Sequence, residues 1–184
     1  MRIFRNQLEN INNKQQHRIG ENMSVKVKTF TKTANGEVYI TANFKIKEFA
    51  CKDGSNTILI DVDFVKNYLQ KIRDFYGKAV IIISAYRTPQ WNRKVNGSPN
   101  SFHLQGRAFD IAITGVTPKQ IAICSESLGI KGIIQYNNFV HIDSRPTKYF
   151  AEDNNGKVTI KETFGGQQIA EKSNSPNTEK HRVV

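Results

Sequence analysis

The segment that most limits the fold is Arg107–Ile113, RAFDIAI. Side chains alternate between faces along a strand. Ala108, Asp110 and Ala112 then share one face, and Phe109, Ile111 and Ile113 share the other. The second is a core face. The first is lined by small residues around one carboxylate, which leaves room above a sheet. FVHID repeats the pattern: His141 and Asp143 share a face, while Val140 and Ile142 turn to the core. Both strands present metal-ligand residue types opposite an apolar face.

The rest of the chain supplies helices and further strands. In ILIDVDFVKNYLQKIRDFYG, Val62, Val65, Leu69, Ile72 and Tyr76 recur at spacings of three and four, one apolar helical stripe. Asp61 is its predicted cap and Gly77 its end. KAVIIISAYR reads as a strand buried on both faces. TPQWNRKV reads as a short helix with Thr88 as cap and Pro89 in its first turn, followed by an NGSPNS loop. Thr117 and Gln120 stand at capping-box spacing before a helix that ends at Gly129. KGIIQYNNFVHID gives two strands around a turn at Asn137-Asn138. In residues 25–46 alternation around Asn35-Gly36 predicts a β-hairpin. Strands and helices mix without strict β-α-β order, so the expected class is α+β with a small antiparallel sheet flanked by helices.

Chain length allows one domain with a real core: 184 residues, 38% hydrophobic and 10% aromatic. The expected organisation is a basic arm and β-hairpin extension over 1–43, a central domain over 44–150, and a polar, flexible tail over 151–184. The net charge is +11, and residues 1–32 alone hold seven Lys or Arg against two Glu. Such charge favours polyanions: nucleic acid, anionic lipid or an acidic wall polymer. No nucleic-acid motif is visible, and the aromatics do not interleave with basic residues in a stacking pattern, so nucleic acid is the least supported partner. Cys51 and Cys124 are too few for a disulfide framework, and Cys124 reads as a small apolar helix residue. No apolar run suits a signal peptide or a membrane span. The expectation is synthesis in the cytoplasm, with another route for any export.

His103 lies seven residues before Asp110, ahead of Gly106, so a loop can bring it back over the strand. Two imidazoles and a carboxylate (His103, His141, Asp110) form a sound zinc set with one position open. Arg87 would steady negative charge or pair with a substrate carboxylate. The bland alternative is two ordinary polar histidines and an aspartate that caps or pairs.

SAYRTPQWN, SFHLQGRAFDI and FVHIDSR, in that order, resemble the M15 family of zinc D-Ala-D-Ala carboxypeptidases over roughly residues 44–146. The pattern Ser-x-His-x-x-Gly-x-Ala-x-Asp is met by Ser101, His103, Gly106, Ala108 and Asp110, Tyr-Arg-Thr-Pro by Tyr86 to Pro89, and His-x-Asp by His141 and Asp143. The resemblance implies the fold shared by DD-peptidases and the Hedgehog signalling domain. It implies one zinc ion per chain on His103, Asp110 and His141. The implied substrates are bacterial peptidoglycan stem peptides, cut at D-Ala-D-Ala, at L-Ala-D-Glu or at a cross-link. Arg87 would contact the substrate carboxylate or the carbonyl under attack, and Ser101 would support the substrate or its loop. Tyr86 and Trp91 join the substrate-binding candidates, although Trp91 also reads as a helix-packing residue.

One departure stands out. Relatives of this kind carry an acid three residues before the last zinc histidine, or a histidine two before it. Here those positions hold Asn138 and Phe139. Asp143, about 7 Å along the strand from His141, is the remaining candidate for catalytic base. Its other role is to orient His141 by a hydrogen bond. The expected function is a zinc peptidase on peptidoglycan, a phage or prophage lysin released by a holin or carried in a virion. The alternative is an inactive zinc domain that binds wall or serves as a virion part. The basic arm would then meet anionic wall polymers or virion proteins.

Overall fold

A computed structural model describes residues 25–165. The predicted arm over residues 1–22, the tail after Gly165, and His17 and His181 lie outside the described residues. The elements in chain order are β1 (Val27–Thr31), the single turn α1 (Lys32–Asn35), a 3-10 turn (Ile46–Phe49) and β2 (Thr57–Asp61). Helix α2 runs as Val62–Phe64, a π-helical turn Val65–Leu69, and Gln70–Tyr76. After it come β3 (Val80–Ser84), α3 (Pro89–Lys94), a 3-10 turn (Phe102–Gln105), β4 (Ala108–Ile113) and α4 (Pro118–Ser127). The last four strands are β5 (Gly132–Tyr136), β6 (Val140–Asp143), β7 (Tyr149–Asn154) and β8 (Lys157–Lys161).

The expected caps form. The Asp61 carboxylate accepts the Phe64 N–H at 3.2 Å, and Gly77 closes α2 in the left-handed region at φ 59°. The Thr88 hydroxyl accepts the Trp91 N–H, and Thr117 and Gln120 make the reciprocal capping box. The α2 stripe is buried at Val62, Val65, Leu69 and Ile72, and the Tyr76 hydroxyl donates to the Gln120 carbonyl on α4.

The class is α+β. Six strands form one sheet in the order β3-β4-β6-β5-β7-β8, antiparallel except for the parallel pair β5–β7. Its core face carries Phe109, Ile111, Ile113, Ile133, Val140, Ile142 and Phe150, packed with α2 and α4 in one hydrophobic cluster. Phe109 stacks on Phe64 at 5.4 Å and meets Phe49 edge-on at 5.7 Å. Burying aromatic and aliphatic side chains of this size stabilises by about 1.5–3 kcal/mol each. The opposite face carries Asp110 and His141, which are register partners.

Three sequence expectations need correction. The hairpin at Asn35-Gly36 does not form. Gly36 is right-handed helical at φ −54°, and its N–H bonds the Lys32 carbonyl, whereas a two-residue hairpin turn needs positive φ. The Asn35 side chain turns back to accept the Thr31 N–H. β1 pairs with β2 instead, Val27 opposite Asp61, so the extension is part of the central body. β3 is not buried on both faces: it lies at the sheet edge, and Ile81 is 49% exposed. The tail does not start at 151, because residues 149–161 form the β7–β8 hairpin with Asn155 and Gly156 at positive φ. Alternation there was masked by polar residues on an exposed edge strand. Cys51 and Cys124 are free and buried. Among the described residues no helix is long and apolar enough to cross a membrane.

Candidate metal centre

Neighbouring strands in register put paired side chains on the same face. Asp110 on β4 therefore stands beside His141 on β6. His103 comes from the 3-10 turn that precedes β4, which Gly106 ends at φ 67°. A Cβ on Gly106 would lie 2.4 Å from the Leu59 carbonyl oxygen. The family motif's glycine is thus demanded twice, by backbone angle and by close approach.

His103 Nε2, Asp110 Oδ1 and His141 Nδ1 converge. Nε2 lies 3.1 Å from Oδ1 and 3.2 Å from Nδ1, and Nδ1 lies 2.9 Å from Oδ1. All three residues are buried, with 2%, 5% and 9% exposure. In a tetrahedral zinc site with bonds of about 2.0–2.1 Å, donors stand about 3.3 Å apart, so the observed triangle is close to the required one.

The outer ring nitrogens decide what points inward. His103 Nδ1 lies 2.6 Å from the Ala85 carbonyl oxygen. A carbonyl only accepts, so Nδ1 carries the proton and Nε2 turns a lone pair to the centre. His141 Nε2 lies 3.1 Å from Asp143 Oδ2. By the same reasoning Nε2 donates, and Nδ1 faces Asp110 Oδ1 at 2.9 Å, where a bound cation would take the place of its proton. Two imidazole nitrogens and a carboxylate oxygen brought to one point need a cation between them, a proton or a metal ion. The donor set fits zinc.

Charge agrees with this. Burial lowers the pKa of His141, but the Asp110 and Asp143 carboxylates outweigh it and push it up to about 9. Negative charge that attracts a proton also attracts a metal cation. Burial raises Asp110, yet His103 and His141 more than offset it and hold it well below the ordinary carboxylate range.

Arg87 joins the centre from behind Asp110. Its Nη2 donates to Asp110 Oδ2 at 2.7 Å, and its Nε donates to Ser84 Oγ at 2.8 Å. Asp110 thus keeps Oδ1 for the centre. Asp143 is fully buried behind His141. Its Oδ2 faces His141, and the Arg145 guanidinium and N–H occupy both oxygens. Ser101 caps the turn that carries His103, its Oγ accepting the His103 N–H at 3.3 Å. Tyr86 and Trp91 are half-buried. The Tyr86 N–H bonds the Phe49 carbonyl, and the Trp91 ring lies under the Lys94 ammonium at 4.9 Å.

Two contributors were not read from the sequence. The Ala85 carbonyl carries no side-chain signal. Gly132 faces Asp143 across the β5–β6 pair, and a Cβ there would lie 2.1 Å from Asp143 Oδ1 and 2.7 Å from Arg145 Nε. A glycine opening a strand is the available sign of such a close approach.

The profile of the peptidase M15 family matches residues 42–143, more than half of the chain and all three donors. The chain belongs to the peptidase M15 family. This M15 chain is 34% identical over 74 residues to the probable peptidoglycan L,D-endopeptidase MepK of Haemophilus influenzae, covering 36% of its own length and 40% of the relative's. It is 31% identical over 80 residues to the peptidoglycan L,D-endopeptidase MepK of Escherichia coli K12, covering 40% and 44%. The chain thus spans less than half the length of the curated relatives it matches. The M15 match ends at Asp143, so Arg145, β7 and β8 lie beyond it.

Proposed function

We propose that the protein is a zinc-dependent peptidase that cleaves stem peptides of bacterial peptidoglycan. The observation that carries this reading is the convergence of three donor atoms with the outer nitrogen of each histidine held from behind. The M15 family supports peptidase chemistry, and the two relatives named as peptidoglycan endopeptidases favour that polymer and an internal bond over terminal D-Ala-D-Ala trimming. A zinc ion on His103, Asp110 and His141 would supply Lewis-acid polarisation of the scissile carbonyl and a lower pKa for water.

The chain's own residues have distinct tasks. Asp143 has no open oxygen and serves to orient His141 rather than to move a proton. Arg87 holds Asp110 to a single inward oxygen. With Nε and Nη2 fixed, its guanidinium edge is placed beside the centre to pair with a substrate carboxylate or carbonyl. Ser101 steadies the turn beneath His103. Tyr86 and Trp91 contribute to the wall around the loop. A phage or prophage lysin is the biological setting this reading suits, with the basic N-terminal residues directed at anionic wall polymers or a virion partner.

A second reading has its own support: Asn138 and Phe139 stand where relatives carry a proton shuttle, and Asp143 is fully engaged. In that case the domain binds zinc and wall without turnover. The deciding experiment is a digest of purified peptidoglycan read by mass spectrometry, with zinc, with chelator and with His103→Ala. New stem-peptide fragments only in the zinc sample establish the peptidase and name its bond. Well-folded, zinc-loaded protein that yields none on several wall types establishes the binding module.

A further inference from the structure

Beyond the metal centre the same sheet face continues onto β5, β7 and β8. His141 is opposite Ile134, Ile134 opposite Ala151, and Ala151 opposite Ile160. One step along the strands, Tyr136 is opposite Asp153 and Asp153 opposite Val158. A pocket of about 290 Å³ opens there between the β5–β6 turn and the β7–β8 turn.

Its walls have a definite chemistry. The Tyr136 and Phe139 rings stack at 4.4 Å with 15° between their planes. Asp153 lines the pocket beside them. Its Oδ1 accepts the Gly156 N–H at 2.7 Å, and Oδ2 has no partner among the described residues. Asn137 Nδ2 donates to Asn155 Oδ1 at 2.9 Å, tying the two turns together. A carboxylate oxygen beside aromatic rings suits a cation, which gains both an ion pair and ring attraction. In a chain of net charge +11 a carboxylate at a pocket mouth excludes anions locally.

The pocket is next to the centre. Tyr136 lies one strand over and two residues along from His141, about 8 Å between Cα atoms. Burial raises the pKa of its hydroxyl, and the Asp110 and Asp153 carboxylates raise it further against an opposing effect of Arg87. A peptide bond at the centre would leave an adjacent long side chain within reach of the pocket.

We propose that this pocket takes the side-chain ammonium of a diamino residue next to the scissile bond, paired to Asp153 and laid against the Tyr136 and Phe139 rings. This rests on the peptidase reading and adds a specificity determinant to it. The test uses two soluble stem peptides, identical except that the diamino side chain is free or N-acetylated. The zinc-loaded wild type should cleave the free-amine peptide about 10-fold better in kcat/KM, through KM, as a pairing worth roughly 1.4 kcal/mol gives. Asp153→Asn retains the Gly156 hydrogen bond and should bring the free-amine peptide down to the acetylated one. Equal cleavage of both peptides by the wild type, or a preference that survives Asp153→Asn, overturns the proposal while the peptidase stands. If neither peptide is cleaved, the peptidoglycan digest judges the peptidase reading separately, and titration of the zinc-loaded protein with the free-amine peptide by NMR judges the pocket alone. Ring shifts at Tyr136 and Phe139 that vanish in Asp153→Asn and with the acetylated peptide support it. Their absence overturns it.

Discussion

The two histidines of the centre reach one point from different parts of the molecule and are braced by unlike groups. On the loop side, residues 84–106, His103 is held by a main-chain carbonyl, that of Ala85. On the strand side, residues 132–145, His141 is held by a carboxylate that is itself clamped by Arg145 and fitted against Gly132. A carbonyl cannot be removed by changing a side chain. A chain of Gly132, Asp143 and Arg145 can be broken at any of three positions. Gly106 and Arg87 apart, the loop side should therefore tolerate side-chain substitution around its ligand better than the strand side.

The largest effect removes the comparison altogether. His103→Ala and His141→Ala each delete a donor, so both should lose the bound zinc and reduce peptidoglycan cleavage to background. Zinc measured per chain should be about one in the wild type and near zero in both variants. Chelation should do the same reversibly, with zinc restoring activity to the wild type only. Circular dichroism should stay native in the variants, because the core lies on the other face of the sheet. A variant that keeps full zinc would remove that residue from the donor set.

Next comes the strand-side brace. Asp143→Asn keeps the shape but loses the charge that orients His141 and pairs with Arg145. Losing such a partner typically costs about 10–100-fold in metal affinity or activity. The expected result is weaker zinc binding in a competition titration, with kcat recovering at saturating zinc. Unchanged zinc affinity with a collapsed kcat would instead make Asp143 the base.

Gly132→Ala tests the same brace from the opposite strand. The new methyl would meet the buried Asp143 carboxylate and the Arg145 guanidinium pinned against it. Overpacking of this kind costs roughly 1–3 kcal/mol. It should lower the melting temperature and weaken zinc in the same direction as Asp143→Asn. If the melting temperature falls while zinc affinity holds, the fit at Gly132 serves packing alone.

These unequal braces also explain what could be read in advance. Alternation in RAFDIAI and FVHID set which residues face the core and which face the site, because a strand covered on one side leaves a periodic trace. Asp61, Thr88 and Thr117 could be read as caps because capping is local. The Asn35-Gly36 hairpin failed for a non-local reason: β2 offers β1 a partner with Ile58 and Ile60 fully buried, while Val38 and Tyr39 stay exposed. The β7–β8 hairpin was missed because an exposed edge strand has no core to pattern it. Ala85 was beyond reading, since any residue has a carbonyl. Gly132 was legible only as a glycine whose neighbour across the sheet was unknown.

The smallest effect belongs to the loop side and checks its tolerance. Ser101 is a side-chain brace on that side, accepting the His103 N–H at 3.3 Å. Ser101→Ala removes this cap from a short turn, which costs about 0.5–2 kcal/mol. The ring nitrogen of His103 remains bonded to the Ala85 carbonyl, and the Arg87 N–H still bonds the His103 carbonyl at 3.1 Å. The donor therefore keeps both its tautomer and its place. A slightly lower melting temperature with zinc affinity within a few-fold of wild type is expected. A loss as deep as that of Asp143→Asn would mean that the loop is not held by its main chain, and that both histidines depend equally on side-chain support.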